Sequence, residues 1–281
     1  MTLTIAIVTF NARDHLERCL ESIAGAPPAT PHDVVIVDNG STDGAPEMVA
    51  QRFPSMRLIR ARGNIGFGAA NNVAIRQSQG DLVLLLNPDT VVPRGAIDGL
   101  VAELERAPDA AAIGPRLVDA DGRAELSFGP MPSPLGEAWQ KLLGWAHARG
   151  IWPVTSWVEH VTSRPRAVAW ASAACLLLRR AEVDEAGLFD ERYFLYWEDV
   201  DLCTAMRARG RTVRFTPAVQ VVHARGRSSI GRRPATRLAY RRGQLAFYRK
   251  WRPAWAPVVA WYLRARGEHP EPLAGDGGTH G

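Results

Sequence analysis

The chain has 281 residues, of which 46% are hydrophobic and 22% charged, and its formal net charge is +5. This is an ordinary globular composition, and the length fits one large α/β domain or one domain with an appendage. The three cysteines form no CxxC pair, which excludes a disulfide framework or a zinc ribbon and predicts reduced, buried thiols.

The first 90 residues alternate strand and helix patterns. Continuous apolar, β-branched runs predict four strands, at 4–10, 33–39, 57–61 and 81–87. The apolar spacing over 11–23 predicts a helix, and shorter helices are predicted up to Phe53 and from the Gly-rich turn 63–72 to Gln77. This order predicts a doubly wound, mostly parallel sheet whose ligands bind beyond the carboxyl ends of the strands.

Polar residues follow three of these strands, at the point where each strand ends. They are Thr9 and Asn11, Asp38 and Asn39, and Asn87 and Asp89. Asn and Asp also favour turns, so one such residue alone would mean little. Because three strand ends converge on one edge of the predicted sheet, we interpret the set as a binding site.

The second half of the chain has a less regular pattern. Its predicted elements are a helix over 94–106, a strand over 111–118, a strand-like run over 168–180 followed by a helix, a helix from Glu198, strands over 212–217 and 218–223, and one or two helices over 234–266. The region 128–168, rich in Pro and Trp, is predicted to be an irregular, mobile loop. Residues 268–281, rich in Gly and Pro, are predicted to be disordered.

Charge is distributed unevenly along the chain. No Asp or Glu occurs from Leu202 to Gly267, whereas 16 Arg or Lys residues do, and this asymmetry indicates a polyanionic partner. The segment 240–266 places three tryptophans among its arginines, a pattern typical of a helix at an anionic membrane surface. It is equally typical of a basic helix that packs its Trp stripe on the core. We expect no nucleic-acid partner, because the segment contains no recognised reading module.

The sequence indicates neither export nor insertion into a membrane. Residues 3–10 lack the basic region that precedes the apolar part of a secretory signal. A transmembrane helix needs a run of about 18 apolar residues, and the chain contains none. We therefore expect a cytoplasmic protein, with the inner face of the cell membrane as a surface for peripheral association.

Six motifs occur in the order and spacing of a known family. They are 8-VTFN-11, 36-IVDNGSTDG-44, 64-NIGFGAANN-72, 85-LLNPDT-90, 189-FDERYFLYWEDVDLC-203 and 223-HARGRSS-229. Together they resemble family 2 glycosyltransferases, and most closely the rhamnosyltransferase-like branch, over roughly residues 3–250. The resemblance implies inverting transfer of rhamnose or another hexose from a nucleotide-diphosphate donor (dTDP, UDP or GDP) to a glycan or a lipid-linked glycan.

The resemblance also implies an α/β fold of the GT-A type, a Rossmann-like and mostly parallel sheet flanked by helices. On this basis residues 1–230 form the catalytic domain, with a nucleotide-sugar-binding half over 1–118 and an acceptor-binding half over 119–230. Residues 231–267 are then a basic, aromatic appendage of helices, ahead of the tail 268–281.

The metal-binding DxD motif of the family corresponds here to 87-Asn-Pro-Asp-89. Asp89 therefore matches the metal-binding acid, and Asn87 matches a position that can hydrogen-bond the ribose or a metal-bound water. The resemblance adds His223, after the last core strand, as a further ligand. Mn²⁺ or Mg²⁺ is the implied cofactor, because a hard divalent ion neutralises a diphosphate leaving group and imidazole suits Mn²⁺ better. The alternative interpretations are a turn residue after a strand for Asp89, which the convergence of strand ends disfavours, and a satisfied core or surface histidine for His223.

The acidic cluster 196-YWEDVD-201 contains the candidate base. Inverting transfer needs one group that takes the proton of the acceptor hydroxyl. By resemblance this group is Asp199, and Glu198 orients it or contacts the acceptor. Asp201 lies two residues further along the helix and is expected to face away, as an acid that complements the helix dipole.

Further residues are candidates for sugar and diphosphate contacts. Trp170 and Trp197 are expected to bind substrate, and aromatic rings of the run 193–197 would stack on a sugar face. The family usually has Gly where Ala173 stands here, and the extra methyl group can change donor or acceptor identity. Arg227, in the segment 225–233, would clamp the diphosphate.

The nucleoside of the donor is expected at the ends of the first two strands. Thr9 and Asn11 would contact the base or ribose, and Asp38 would accept from a base N–H or from ribose hydroxyls. A helix that follows a Gly-rich turn can hold a phosphate at its N-terminus. The remaining candidates at or beside that turn are Asn39, Asn64, Gly66 and Asn71.

Two alternatives stay open on the sequence alone. One is a relative that binds sugar nucleotides without catalysis, and the other is a basic nucleic-acid-binding protein. The joint presence of Asp38, Asp89, Asp199 and His223 favours an active enzyme. The spread of basic residues over both helices and strands argues against nucleic-acid binding.

Overall fold

The structure, a computed structural model, describes residues 1–224, 234–268 and 270. Its strands are β1 (Leu3–Thr9), β2 (His32–Asp38), β3 (Arg57–Arg60), β4 (Leu82–Leu86), β5 (Thr90–Val91), β6 (Ala110–Val118), β7 (Phe128–Gly129), β8 (Arg166–Val168), β9 (Trp170–Ala171), β10 (Cys175–Arg179) and β11 (Thr212–His223). Its α-helices are α1 (Arg13–Gly25), α2 (Ala45–Arg52), α3 (Phe67–Arg76), α4 (Ala96–Glu105), α5 (Pro134–Ala148), α6 (Trp152–Val161), α7 (Arg180–Ala186), α8 (Glu198–Ala208), α9 (Pro234–Trp251) and α10 (Ala256–Ala265).

The central sheet is mixed, with the order β3-β2-β1-β4-β10-β6-β11-β5, and β8 pairs with β11. Strands β3, β2, β1 and β4 are parallel, as the sequence predicts. Strand β10 runs antiparallel to both β4 and β6, whereas β6 and β11 are parallel to each other. The carboxyl ends of β1, β2 and β4 therefore lie along one edge.

Helices cover both faces of the sheet, which explains why its central strands are continuously apolar. Alternate side chains of a strand point to opposite faces. Leu3, Ile5 and Ile7 pack with α1, α2 and α4 on one face, whereas Ala6 and Val8 pack with α3 and α8 on the other. The three cysteines are free thiols buried in these layers, as predicted.

The prediction of an irregular loop over 128–168 is wrong, because this region contains α5 and α6. Its prolines begin helices rather than break them. The Ser133 side chain caps α5 by accepting from Gly136 N, and Pro134 occupies the first turn. Gly150, with a φ of +68°, follows the end of α5, and Pro153 lies in the first turn of α6.

Two strand predictions also need correction. The segments 212–217 and 218–223 form one strand, β11, whose register against β6 shifts between Thr216 and Gln220. That shift surrounds Pro217, which has no N–H for the ladder. The strand-like run 168–180 is divided between β9 and β10, with Val168 ending β8, and β9 pairs with β7 in a separate small sheet.

The C-terminal helices pack on the rest of the chain through one side. Leu245, Phe247 and Tyr248 of α9 are buried against the segment around Trp197, and α10 buries Val259 and Leu263. Trp261, in contrast, is 68% exposed. None of the helices in the described residues has the length and apolar character needed to cross a membrane. The tail 268–281 lies outside the described residues except for Glu268 and Pro270.

Candidate active site

The ends of β1 and β2 bring Thr9 and Asp38 together. The two residues are register partners, and Asn39 N donates to Thr9 O at 2.8 Å. Both carboxylate oxygens of Asp38 accept from Ser41 N, at 3.2 and 3.3 Å. Thr9 Oγ1 is buried and has no hydrogen-bond partner among the described residues. A polar ligand at this edge would satisfy that hydroxyl group.

Asn11 connects the loop after β1 to the loop after β2. Its backbone is left-handed, with a φ of +50°, which Asn tolerates better than most residues. Asn11 Oδ1 accepts from Thr42 N at 2.8 Å, and Asn11 N donates to Ser41 Oγ at 2.9 Å. These bonds fix the shape of the edge beside Asp38.

A network of amides holds the Gly-rich turn against the same edge. Asn39 Nδ2 donates to Asn64 Oδ1 at 3.0 Å, and Asn39 Oδ1 accepts from Ile65 N at 2.9 Å. Gly66 has a φ of +94°, and a Cβ there would lie 2.7 Å from Phe194 O. Asn71 lies one turn into α3, where Nδ2 donates to Phe67 O at 3.0 Å.

The metal candidates Asp89 and His223 are in contact. Thr90 and His223 are register partners of β5 and β11, and His223 Nε2 lies 3.3 Å from Asp89 Oδ1. On its other side, His223 Nδ1 lies 3.1 Å from Glu125 Oε2. Burial acts to lower the pKa of His223, but hydrogen bonds to Asp89 and Glu125 outweigh it and raise this pKa to about 9. The pair of carboxylates thus favours a cation at the position between them.

The described residues do not contain a group of three or more His, Cys, Asp and Glu side chains arranged to hold a metal ion. Two protein ligands still fit a divalent ion that also binds phosphate oxygens and water. Asn87 Oδ1 is buried beside this pair without a hydrogen-bond partner in the described part of the chain. Glu125, behind the imidazole, would fix its orientation as outer carboxylates do at metal-bound histidines. The donor set therefore fits Mn²⁺ or Mg²⁺.

The predicted base lies at the start of α8. Trp197, with a φ of +75°, precedes the helix, whose first residues are Glu198 and Asp199. Asp199 Oδ1 accepts from Val200 N at 2.8 Å, and Oδ2 accepts from Ala173 N at 3.4 Å. Burial raises the pKa of Asp199. Burial, and then the neighbouring charge of Asp199, raise the pKa of Glu198 to about 8.

A short backbone path joins the metal candidates to the base. Asn87 N donates to Ala174 O at 2.9 Å, and the neighbouring Ala173 N donates to Asp199. The residue that departs from the family pattern, Ala173, is therefore in contact with the predicted base. A change of volume at this position would move Asp199 as well as crowd a sugar.

A cavity of about 530 Å³ opens beside Asp199. Trp170, Trp197, Glu198 and Asp199 line it, together with residues of α5 and α9. Glu198 Oε2 and Trp197 Nε1 are both buried without a hydrogen-bond partner among the described residues. The cavity therefore offers aromatic surface and unsatisfied polar atoms to a ligand.

Part of the aromatic run 193–197 packs inside the protein, and its sugar-stacking role stays a prediction. The Tyr193 hydroxyl is buried and donates to Asp201 Oδ1 at 3.1 Å, and the Trp197 ring centroid lies 5.1 Å from that of Phe247. Asp201 also accepts from Trp251 Nε1 at 2.6 Å. The expected orientation of Asp201 agrees with these contacts, but its partners are side chains of α9 as well as the helix dipole.

Three groups of residues escaped the sequence analysis. Asn72, next to the predicted Asn71, exchanges hydrogen bonds with Phe189 O and N at 2.8 and 2.9 Å and so holds the loop before α8. Glu125 lies in a segment without a periodic pattern. The cations of α5 and α9 that line the cavity come from regions without a motif. Arg227 lies outside the described residues.

Comparison with known proteins identifies the family. Residues 4–155, more than half of the chain, match the family described as Glycosyl transferase family 2. The chain belongs to glycosyl transferase family 2. A relative from Mycobacterium tuberculosis, N-acetylglucosaminyl-diphospho-decaprenol L-rhamnosyltransferase, is 35% identical over 275 residues, which cover 93% of this chain and 89% of the relative. Rhamnosyltransferase WbbL of Escherichia coli is 23% identical over 227 residues, covering 78% of this glycosyltransferase and 82% of WbbL.

Solved structures of other glycosyltransferases share the fold. The mannosyltransferase PcManGT from Pyrobaculum calidifontis, solved with GDP-Man and Mn²⁺, has a TM-score of 0.58 at 18% identity and covers 96% of this chain and 76% of its own. GalNAc-T7, solved with UDP, GalNAc and Mn²⁺, has a TM-score of 0.65 at 16% identity, and the match covers 98% of this chain and 52% of the GalNAc-T7 chain. The predicted GT-A fold, the family and its rhamnosyltransferase-like branch are confirmed.

Proposed function

We propose that this glycosyltransferase transfers rhamnose or another hexose, with inversion, from a nucleotide-diphosphate donor to a hydroxyl group of a lipid-linked glycan. One observation carries the proposal. The backbone path through Asn87, Ala174 and Ala173 joins the Asp89–His223 pair to Asp199 at the mouth of a cavity. A leaving-group site and a base are thus held in one rigid arrangement. The M. tuberculosis relative supports the choice of acceptor, since its name specifies a lipid diphosphate carrying N-acetylglucosamine.

The donor nucleoside binds at the ends of β1 and β2. Thr9 Oγ1 donates to or accepts from it, and the Asp38 carboxylate accepts from a base N–H or a ribose hydroxyl. The loop that Asn11 and Asn39 hold in place defines the edge of this subsite. Asn64 and Gly66 close the turn beside it, and Asn71 supports the helix that follows.

Asp199 removes the proton of the acceptor hydroxyl as its oxygen attacks the anomeric carbon. Its raised pKa makes it a stronger base than an exposed aspartate, while Ala173 N and Val200 N keep its orientation fixed. Glu198, whose pKa of about 8 keeps it largely protonated at neutral pH, donates to a polar group of the acceptor. Trp170 supplies an apolar wall for the sugar ring.

Asp89 and His223 would hold the divalent ion, and Glu125 would keep the imidazole in place. When bound, Mn²⁺ or Mg²⁺ supplies positive charge to the diphosphate as it leaves. Asn87 contributes a neutral amide oxygen at this point, so Asp89 carries the negative charge of the motif. A lipid-linked acceptor also implies peripheral association with the cytoplasmic face of a membrane.

The first experiment is a thermal-shift screen of dTDP-, UDP- and GDP-sugars with Mn²⁺, Mg²⁺ or EDTA. A ligand that binds only the folded state raises the melting temperature by mass action. We expect a metal-dependent rise with one nucleotide class, followed by transfer of that sugar to an N-acetylglucosaminyl diphosphate lipid. Binding without transfer or donor hydrolysis would instead identify a non-catalytic sugar-nucleotide-binding relative.

A further inference from the structure

Three cations line the cavity beside Asp199. Lys141 comes from α5, and Arg237 and Arg241 come from α9. Lys141 Nζ lies 5.0 Å from the ring centroid of Tyr240, which also lines the cavity. Two helices that are far apart in sequence therefore direct positive charge into the space next to Asp199.

The carboxylates near these three cations do not neutralise their charge completely. Glu137 is 3.6 Å from Lys141, but it already accepts from the Tyr248 hydroxyl at 2.6 Å and from Gln244 Nε2 at 2.8 Å. Glu268 pairs with both arginines, since its Oε1 lies 2.5 Å from Arg237 and its Oε2 lies 2.7 Å from Arg241, and it is also 3.5 Å from Arg266. The single negative charge of Glu268 thus lies between two guanidinium groups, which together can bind an anion with two negative charges.

A second observation points to a polar ligand in the same cavity. Glu198 and Trp197 both line it, and Glu198 Oε2 and Trp197 Nε1 are buried without a hydrogen-bond partner among the described residues. Buried polar groups are normally satisfied. A sugar with hydroxyl and amide groups would satisfy both.

We propose that this cavity is the acceptor subsite, with the acceptor sugar between Trp170 and Asp199 and the acceptor diphosphate on Lys141, Arg237 and Arg241. The inference rests on the proposed function and adds the part of the acceptor that the enzyme recognises. Guanidinium groups bind phosphate oxygens in pairs, and Lys141 adds a point charge. The donor diphosphate has its own proposed place at Asp89 and His223, which do not line this cavity.

The test measures transfer by the wild-type enzyme to two acceptors. One is an N-acetylglucosaminyl diphosphate with an alkyl chain, and the other is an alkyl N-acetylglucosaminide without phosphate. We expect kcat/KM to favour the diphosphate. Lys141→Gln, Arg237→Gln and Arg241→Gln should each reduce that preference about tenfold, through KM for the diphosphate acceptor. Arg241→Lys should restore part of it. Arg242→Gln, an exposed cation of the same helix that does not line the cavity, is the matched control.

The two proposals fail in different ways. Wild-type enzyme that uses neither acceptor and does not hydrolyse a bound donor would overturn the proposed function. Active wild-type enzyme whose preference persists in all three Gln variants would overturn the subsite alone. A rise in the donor KM rather than the acceptor KM would assign the cations to the donor diphosphate. Melting temperatures of the variants separate these outcomes from unfolding.

A separate observation concerns the outer side of α5 and α6. Leu135, Trp139, Leu142 and Trp145 recur at helical spacing on α5, and Leu135 and Trp139 are 80% and 60% exposed. Glu137, on the opposite side of the helix, is buried. Trp152, 77% exposed, and Trp157 continue this surface on α6. Here the apolar face of a helix is turned outward, which marks an interaction surface.

We infer that this apolar stripe rests on an anionic lipid surface. Four of its six residues are tryptophans, whose rings prefer the headgroup region of a bilayer. The stretch 142–168 carries Arg149, Arg164 and Arg166 but a single acid, Glu159, which pairs with Arg116. The Arg149 guanidinium lies 4.2 Å from the Trp145 ring centroid. Positive charge beside interfacial tryptophans complements anionic lipids.

Flotation of the full chain with vesicles of phosphatidylcholine and phosphatidylglycerol tests this surface. Wild-type protein should float with these vesicles, and the double variant Trp139→Ser, Trp145→Ser should reduce the bound fraction at least severalfold. Trp261→Ser, on α10, is the matched control because this residue is at least as exposed as Trp139 and Trp145. If the control loses binding and the double variant keeps it, the inference is wrong. Sedimentation showing a wild-type dimer that the double variant abolishes would instead make the stripe an interface between copies.

Discussion

On the donor side of the active site, the contacts that hold the functional residues join neighbouring strand ends and their loops. Asn39 N donates to Thr9 O, and Asn11 Oδ1 accepts from Thr42 N. On the acceptor side, buried polar contacts join distant segments. The Tyr248 hydroxyl donates to Glu137, and Trp251 Nε1 donates to Asp201. The donor side thus follows from strand order, whereas the acceptor side depends on the docking of α5 and α9.

The largest effect should come from the residue at the boundary of the two sides. Asp199→Asn keeps the shape of the side chain but removes the base, so transfer should fall by roughly 10²–10⁴-fold. Donor affinity, measured by calorimetry or thermal shift, should stay close to that of the wild type, because the donor residues lie on other strands. Normal turnover of Asp199→Asn would refute its assignment as the base.

Removal of Asp89, the proposed metal-binding acid, tests the proposed donor side directly. Asp89→Ala should weaken metal-dependent donor binding and lower kcat/KM by roughly 10²-fold, since a bound ion contributes several kcal/mol of charge stabilisation. Titration of the nucleotide sugar with Mn²⁺ and with EDTA measures the effect. Equal donor affinity of both proteins in Mn²⁺ would show that Asp89 does not hold the ion.

These two sides also differ in how far the sequence determines them. The strands β1, β2, β3 and β4 are apolar runs, and parallel strands align their carboxyl ends, so convergence of Thr9, Asp38 and Asp89 follows from pattern alone. The motifs added Asp199 and His223 through resemblance. Neither source located Glu125, because its contact with His223 depends on tertiary packing between residues 98 positions apart.

The acceptor side could not be predicted for a related reason. The prolines of 128–168 suggested a loop, although Ser133 and Pro134 are a helix start signal when they occur together. The aromatic residues 193–197 suggested a sugar platform, but Tyr193 and Trp197 are buried in a cluster with side chains of α9, whereas Phe194 is 47% exposed. Only the folded chain shows which side of each amphipathic helix meets a partner.

On the acceptor side, Glu198 should make the free energy of unfolding depend on pH. The folded pKa of Glu198 is raised from 4.5 to about 8, chiefly by burial. Its contribution to the free energy of unfolding is therefore complete below the unfolded pKa and is lost as pH rises through the folded pKa, by on the order of a few kcal/mol. Glu198→Gln removes this loss. Denaturant unfolding should show the variant gaining stability relative to the wild type between pH 5 and pH 8; a constant difference would contradict the raised pKa.

Asp201→Ala probes the docking of α9 on the acceptor side. The change leaves Trp251 Nε1 and the Tyr193 hydroxyl without their acceptor, and Lys250 loses a partner 2.9 Å away. Unsatisfied groups of this kind cost about 1–3 kcal/mol, so the melting temperature should fall by several degrees. Asp201→Asn retains an oxygen acceptor and should lose less. If both variants have the melting temperature of the wild type, α9 is held by its apolar side chains alone.

The smallest effect is expected on the donor side, at Asn11. Asn11→Gly suits the φ of +50° and removes only the oxygen that accepts from Thr42 N. Because this bond is exposed, water can replace it, and the free energy of unfolding should fall by less than about 1 kcal/mol. Donor affinity should fall in the same variant if Asn11 contacts the nucleoside. If Asn11→Gly lowers the free energy of unfolding as much as Asp201→Ala does, the structure of the strand ends depends on contacts between their loops. The donor side would then not follow from strand order alone, and the contrast with the acceptor side would no longer hold.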